Sequence, residues 1–258
     1  MSFLESFPME NSLIFFGEFK RQMEDKGIRI NKFLSEAGVC SRRSADQYIE
    51  KGRVKIDDAL AKVGSRVMPG QHVYVDGNEV TSEEKEVVLI FNKPIGIVCT
   101  AEKREKDNVI DYLNYPTRIY PVGRLDKESH GLLILTNQGD LTNEILKASN
   151  YHEKEYVVRV NKPISGKFLM DMQRGVYLPD LEKTTAPCKV KKIDEKTFSI
   201  ILTQGLNRQI RRMCRALDYH VRDLKRVRIM NFTLEGIKEG AYRELSVKEI
   251  ADLKKKLL

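Results

Sequence analysis

Gly123-Arg124-Leu125-Asp126-Lys127-Glu128-Ser129-His130-Gly131 leads directly into Leu132-Leu133-Ile134-Leu135-Thr136. The first part is a polar loop bounded by glycines, and the second is an unbroken apolar run with the length of a buried strand. The junction sets one carboxylate, Asp126, just ahead of a strand destined for the core, with Arg124 two residues before it. Loops carried on rigid strands are where catalytic groups tend to be placed. An aspartate in a short loop also serves as a turn former or cap. The rest of the chain decides between these readings.

Other runs of the same kind lie on both sides. Val87-Val88-Leu89-Ile90-Phe91 reads as a strand covered on both faces, and further strands are expected at 132–136, 155–160, 188–193 and 197–203. Helices are expected at 140–147, 167–174, 208–217 and 247–257. The mixture lacks a regular strand–helix–strand alternation, so the fold class is α+β with a mainly antiparallel sheet. Upstream, Ile30, Phe33, Leu34 and Ala37 recur at helical spacing before Gly38, and Ser41 is placed to cap a second helix that ends at Gly52. Short strands and the turn pairs Pro69-Gly70 and Asp76-Gly77 follow. The acidic segment Thr81-Ser82-Glu83-Glu84-Lys85-Glu86 reads as a boundary. The expected organisation is an extension at 1–27, a small domain at 28–77, a linker at 78–86 and a larger domain at 87–258. The extension is apolar in places but lacks a basic leader and is no secretory signal. It is either a short segment that docks on the body or the product of a start codon placed too early.

The formal net charge is +8, and it is localised. Between Gln204 and Met230, eight Arg or Lys face only Asp218 and Asp223, so this window alone carries +6. A solvated helix face ordinarily mixes signs, and the one-sided patch favours nucleic acid or another phosphate ligand. Cys40, Cys99, Cys188 and Cys214 are widely spaced, with no CxxC pair and no histidine cluster nearby. They read as reduced thiols of a cytoplasmic protein rather than disulfides or zinc ligands. No metal or cofactor is expected, no Gly-rich phosphate loop is present, and no stretch approaches the length of a membrane span.

Arg42 and Arg43 fall in the first turn of the second predicted helix, where the helix dipole disfavours cations. Residues that break a local rule hint at function. With Arg29, Lys32, Lys51 and Arg53 they form either a phosphate-gripping face or scattered surface charge tempered by Glu36, Asp46 and Glu50. The segment Ile30-Asn31-Lys32-Phe33-Leu34-Ser35-Glu36-Ala37-Gly38, with Ser41-Arg42-Arg43 and Ile49-Glu50-Lys51-Gly52-Arg53-Val54, resembles the small RNA-binding domain named after ribosomal protein S-four. The resemblance implies that the two-helix face binds structured RNA.

Three further blocks belong together: the Arg124–Asp126 loop, the strand Lys154-Glu155-Tyr156-Val157-Val158, and Gln204-Gly205-Leu206-Asn207-Arg208-Gln209-Ile210-Arg211-Arg212-Met213. In this order, with the lead-in Asn92-Lys93-Pro94-Ile95-Gly96, they resemble the pseudouridine synthases of the RsuA type. The block 205–214 and Arg228-Ile229-Met230-Asn231 look most like the RluF branch, which modifies large-subunit ribosomal RNA. The resemblance implies isomerisation of a flipped-out uridine in RNA. Asp126 matches the essential aspartate, which attacks the sugar, attacks the base, or removes a proton on the way to a glycal. Arg211 matches its guanidinium partner, and Tyr156 matches the tyrosine packed on the target base. Ile210 supports the opposite face, and Arg124 enters the RNA stack. Asn207, Arg208 and Arg212, with Lys32, Arg42 and Arg43, are expected on the RNA. Without the resemblance Tyr156 and Ile210 would read as core residues. The competing functions are a non-catalytic RNA-binding or ribosome-associated protein, and the same chemistry on small-subunit ribosomal RNA or transfer RNA. The expected partner is RNA and the expected state a monomer.

Overall fold

In the computed structural model, residues 27–81, 85–102, 104–147 and 150–257 are described. Residues 1–26 of the expected extension and 82–84 of the expected linker lie outside the described residues. The chain divides into two units, Met1–Lys85 and Glu86–Leu258.

In the first unit Ser41 does what its position demands: its Oγ accepts the Ser44 N–H at 3.0 Å and opens the second helix. After the short strand β1 (Ile28–Arg29), helices α1 (Ile30–Glu36) and α2 (Arg42–Glu50) bury Ile30, Leu34, Ala45 and Ile49. The left-handed Gly38 (φ +74°) and Gly52 (φ +68°) follow their C-termini. They pack on a sheet of β2 (Val54–Ile56), β3 (Ala59–Leu60), β5 (Val73–Val75) and β6 (Asn78–Val80), ordered β3-β2-β5-β6. Strand β4 (Arg66–Val67) pairs with β1. The small sheet runs on past residue 77. Asp76 and Gly77 both have positive φ, the geometry of a tight hairpin turn, so the chain folds back and Asn78–Val80 pair with β5.

In the second unit the predicted apolar runs become the centre of a nine-stranded sheet. Its strands are β7 (Val88–Lys93), β8 (Tyr120–Val122), β9 (His130–Thr136), β10 (Lys154–Val160), β13 (Lys189–Lys192), β14 (Thr197–Leu202), β15 (Val221–Ile229), β16 (Phe232–Thr233) and β17 (Tyr242–Glu244). The path runs β13-β14-β10-β15-β9-β7-β17, with β8 on β9 and β16 on β15, and β11 (Tyr177–Leu178) with β12 (Lys183–Thr184) forms a separate ribbon. Helices α3 (Val109–Leu113), α4 (Gly139–Leu146), α5 (Gly166–Arg174), α6 (Gln209–Ala216) and α7 (Val247–Leu257) cover it. Period-two alternation assigns the faces. Val88, Ile90, Leu132 and Ile134 meet Leu141 and Ile145 of α4 and Ile250 and Leu253 of α7. Leu89, Phe91, Leu133 and Leu135 meet Val109, Ile119 and Leu125. A third cluster joins Val158, Phe198 and Ile200 to α5 and to Ile210, Met213 and Cys214 of α6. Among the described residues no helix is long and apolar enough to cross a membrane.

Strand β15 lies outside the strands expected from the sequence, because VRDLKRVRI reads as basic surface. It is central nonetheless. It pairs antiparallel with β10 along its length and parallel with β9 through Lys225–His130 and Arg226–Gly131. Arg226 is 4% exposed, and its Nε donates to the Leu132 carbonyl at 2.6 Å. The parallel contact requires a glycine opposite. Gly131 has φ +99°, and a Cβ there would lie 2.2 Å from the Arg226 carbonyl oxygen. Gly131→Ala is expected to destabilise the second unit by about 3 kcal/mol or more in urea unfolding. Gly96→Ala is the comparison, with φ +94° but nothing within 4 Å of the added Cβ, and should cost only about 1–2 kcal/mol. Equal losses would show that the close backbone approach carries no weight.

Candidate active site

The loop between β8 and β9 is held from below. Leu125 is buried among Phe91, Leu133 and Leu135, and its N–H points at Cys99 Sγ, 3.4 Å away. The Ser129 N–H donates to the Asp126 carbonyl at 3.0 Å, turning the chain over Lys127-Glu128, and Gly96 N–H donates to the Lys127 carbonyl at 2.8 Å. Beneath the turn sits Lys93, fully buried at the end of β7, with Nζ donating to the carbonyls of Pro94 and Ser129 at 2.8 Å each. Burial pushes the Lys93 pKa down, Arg226 adds to this, and Cys99 and Asp126 oppose it. Asp126 therefore follows a buried anchor and precedes a buried serine, while its own side chain stays one-third exposed.

Helix α6 presents the opposing charge. Its entry is built by Gln209, whose buried side chain accepts the Leu206 N–H at 3.0 Å and donates to Gln204 Oε1 at 3.1 Å. This turn puts Arg208 in the left-handed region (φ +49°), a conformation unfavourable for a long side chain. Ile210, Met213 and Cys214 then face the core while Arg208 and Arg211 face the loop.

The result is two guanidiniums against two carboxylates. Arg208 Nη1 lies 3.7 Å and Arg211 Nε 3.8 Å from Asp126 Oδ2. Glu128 Oε2 accepts from Arg208 Nη2 at 2.8 Å and stands 3.9 Å from Arg211 Nε. Arg211 is fixed by its other nitrogen, with Nη2 donating to the Glu128 carbonyl and to Ser129 Oγ at 3.1 Å each. Among the described residues its buried Nε has no hydrogen-bond partner. The Arg208 hydrogen bond and charge hold the Glu128 carboxyl below the usual carboxylate range.

Tyr156 is half-buried on β10 and packs against both the cluster containing Ile210 and the one containing Leu125. It thus bridges the anchors of the loop and of α6. Arg124 is exposed and makes no hydrogen bond or ion pair with a described residue, so it is no partner of Asp126. Arg212 and Asn207 bond to each other instead of facing the loop. Arg212 donates to the Asn207 carbonyl at 3.0 Å and to its side-chain oxygen at 3.1 Å, and it also pairs with Asp180. In the first unit Arg42 and Arg43 are exposed at the start of α2, and Lys32 lies 3.7 Å from Glu36.

Two residues escaped the sequence reading. Lys93 closes an otherwise buried strand, and a lysine there was the available signal. Lys154 stands two residues from Tyr156 on the same strand face, partly buried and without a hydrogen bond or ion pair to a described residue; burial and Arg226 lower its pKa. The chemistry available is that of a carboxylate facing two guanidiniums, with a tyrosine packed against the core clusters of both the loop and α6.

Residues 87–216 match the RNA pseudouridylate synthase family and residues 28–71 the S4 domain. The dual-specificity RNA pseudouridine synthase RluF of Escherichia coli strain K12 is 50% identical over 233 residues, covering 90% of this chain and 80% of the relative. Ribosomal large subunit pseudouridine synthase B of Bacillus subtilis strain 168 is 34% identical, with 88% of this chain and 95% of the relative covered. A crystal structure of a pseudouridylate synthase superposes with a TM-score of 0.64 at 27% identity, covering 88% of this chain and 100% of the other. The chain belongs to the RNA pseudouridylate synthase family and carries an S4 domain ahead of its catalytic unit.

Proposed function

We propose that this RNA pseudouridine synthase acts on a uridine in a hairpin of large-subunit ribosomal RNA, with transfer RNA as a second substrate. The names of the relatives support this, one being a large-subunit enzyme and the other of dual specificity. The observation that carries the chemical reading is Asp126 facing Arg208 and Arg211, on a loop whose Leu125 belongs to a core cluster that Tyr156 also packs against. The target nucleotide leaves the stack because its reacting atoms are otherwise inaccessible, and Arg124, exposed and unpaired among the described residues, fills the gap. Asp126 acts as an ionised carboxylate on the sugar, on the base, or as a base leading to a glycal, and Arg211 orients it. The bond from C1′ to N1 breaks, the uracil turns, and C1′ bonds to C5. The proton on C5 is then lost and N1 gains one. Tyr156 packs on the uracil with its hydroxyl available for the C5 proton, and Ile210 supports the other face.

Arg208 contacts the RNA backbone, and the Arg212–Asn207 pair stiffens the turn that carries it. Lys32, Arg42 and Arg43 grip phosphates, with the two arginines projecting from the start of α2. The enzyme works as a monomer in the cytoplasm, where ribosomal RNA is found.

Asp126→Asn should lower single-turnover pseudouridine formation by about a thousand-fold or more while RNA affinity changes little. Wild-type rates in that variant would overturn the catalytic assignment. Mapping pseudouridines in ribosomal and transfer RNA from cells with and without the gene identifies the substrate. An unchanged large-subunit RNA would refute the ribosomal part. The double variant Arg42→Gln/Arg43→Gln should reduce the salt dependence of RNA binding by roughly 1.5 in the log–log slope, with a smaller change in the single-turnover rate. An unaltered slope would remove these arginines from the interface.

A further inference from the structure

Glu128 lies two residues after Asp126 on the same loop and is the more exposed of the two, 62% against 34% by side chain. The two carboxylates share one pair of guanidiniums, and the exposed one holds the shortest contact: 2.8 Å from Arg208, against 3.7 Å from Arg208 to Asp126. Arg211 is divided in the same way, with Nε 3.8 Å from Asp126 and 3.9 Å from Glu128 and hydrogen-bonded to neither. The Glu128 side chain bonds to nothing else among the described residues. Its backbone carbonyl, by contrast, is fixed by Arg211. An anionic group thus occupies the outer face of an arginine pair without contributing to the packing of the loop.

A phosphodiester presents the same charge and acceptor geometry to a guanidinium fork and competes well with an exposed carboxylate, since exposed ion pairs are weak. Resting on the function proposed above, we infer that Glu128 stands in the free enzyme where an RNA phosphate flanking the target uridine binds. The phosphate displaces Glu128 from Arg208. Arg211 is then left with Asp126 as its one carboxylate, and its buried Nε gains the acceptor that it lacks. Arrival of the RNA backbone is in this way coupled to orientation of the catalytic carboxylate, and no covalent bond is made or broken in the exchange.

The test is a double-mutant cycle on the full chain, reading the affinity for a labelled hairpin of large-subunit ribosomal RNA at one fixed salt concentration. Glu128→Gln should tighten binding by about three- to ten-fold, and in the Arg208→Gln background the same change should gain less than about two-fold. Glu128→Ala serves as a second variant and should behave as Glu128→Gln does. A gain of equal size in both backgrounds would mean general repulsion between an acid and RNA, and would overturn the proposal. No gain in either would overturn it as well. Pseudouridine formation by the wild-type enzyme on the same hairpin is scored separately. Its absence counts against the substrate reading alone, because the cycle reports on phosphate binding at Arg208.

Discussion

The site depends on the backbone contact between Gly131 and Arg226. There the antiparallel half of the sheet built on β10, β14 and β15 joins the half built on β9 and β7, through a short parallel pairing. The approach is too close for any Cβ at residue 131. It fixes where β9 begins, and so where the preceding loop must end. With Lys93 tied to the Ser129 carbonyl and Leu125 buried, the loop is pinned on three sides. Asp126 then has little freedom beyond its own rotamers. This is how a partly exposed carboxylate can be held in one orientation without burying it, which would favour its neutral form.

The second constraint comes from α6. A helix that buries Ile210, Met213 and Cys214 must present positions 208 and 211 along one edge, and the left-handed Arg208 tilts that edge toward the loop. Packing energy and electrostatic orientation are therefore supplied by the same eight-residue helix. Tyr156 links the two constraints, since it packs against the core clusters that hold the apolar anchors of both.

Much of this was legible from residues alone. The apolar runs at 87–91 and 132–136, the Ser41 cap and the helix at 208–217 follow from periodicity and capping chemistry, and the structure forms them as strands Val88–Lys93 and His130–Thr136 and helix Gln209–Ala216. Asp126 and Arg211 were paired through the family resemblance, and the structure brings them together. What stayed hidden has physical causes. Strand β15 carries arginines and lysines whose stems lie in a sheet, and a buried Arg226 defeats any hydropathy pattern. The tetrapeptide Asn-Lys-Pro-Ile occurs twice with opposite fates. Lys93 is fully buried on backbone carbonyls, whereas Lys162 lies at the surface against Asp218 and the Tyr219 ring. Arg212 shares the charge and sequence neighbourhood of Arg211 yet turns to Asn207 and Asp180. Only tertiary contacts separate such pairs.

Arg211 is placed as a planar fork, fixed by one nitrogen to the loop and turned by the other toward Asp126. The single-turnover rate of Arg211→Lys on a hairpin substrate tests it most directly, because an ammonium keeps the charge but cannot reproduce the fork. A loss of about a hundred-fold or more at saturating RNA is expected, with affinity reduced far less. A rate within about two-fold of wild type would show that charge alone suffices there, and would contradict it.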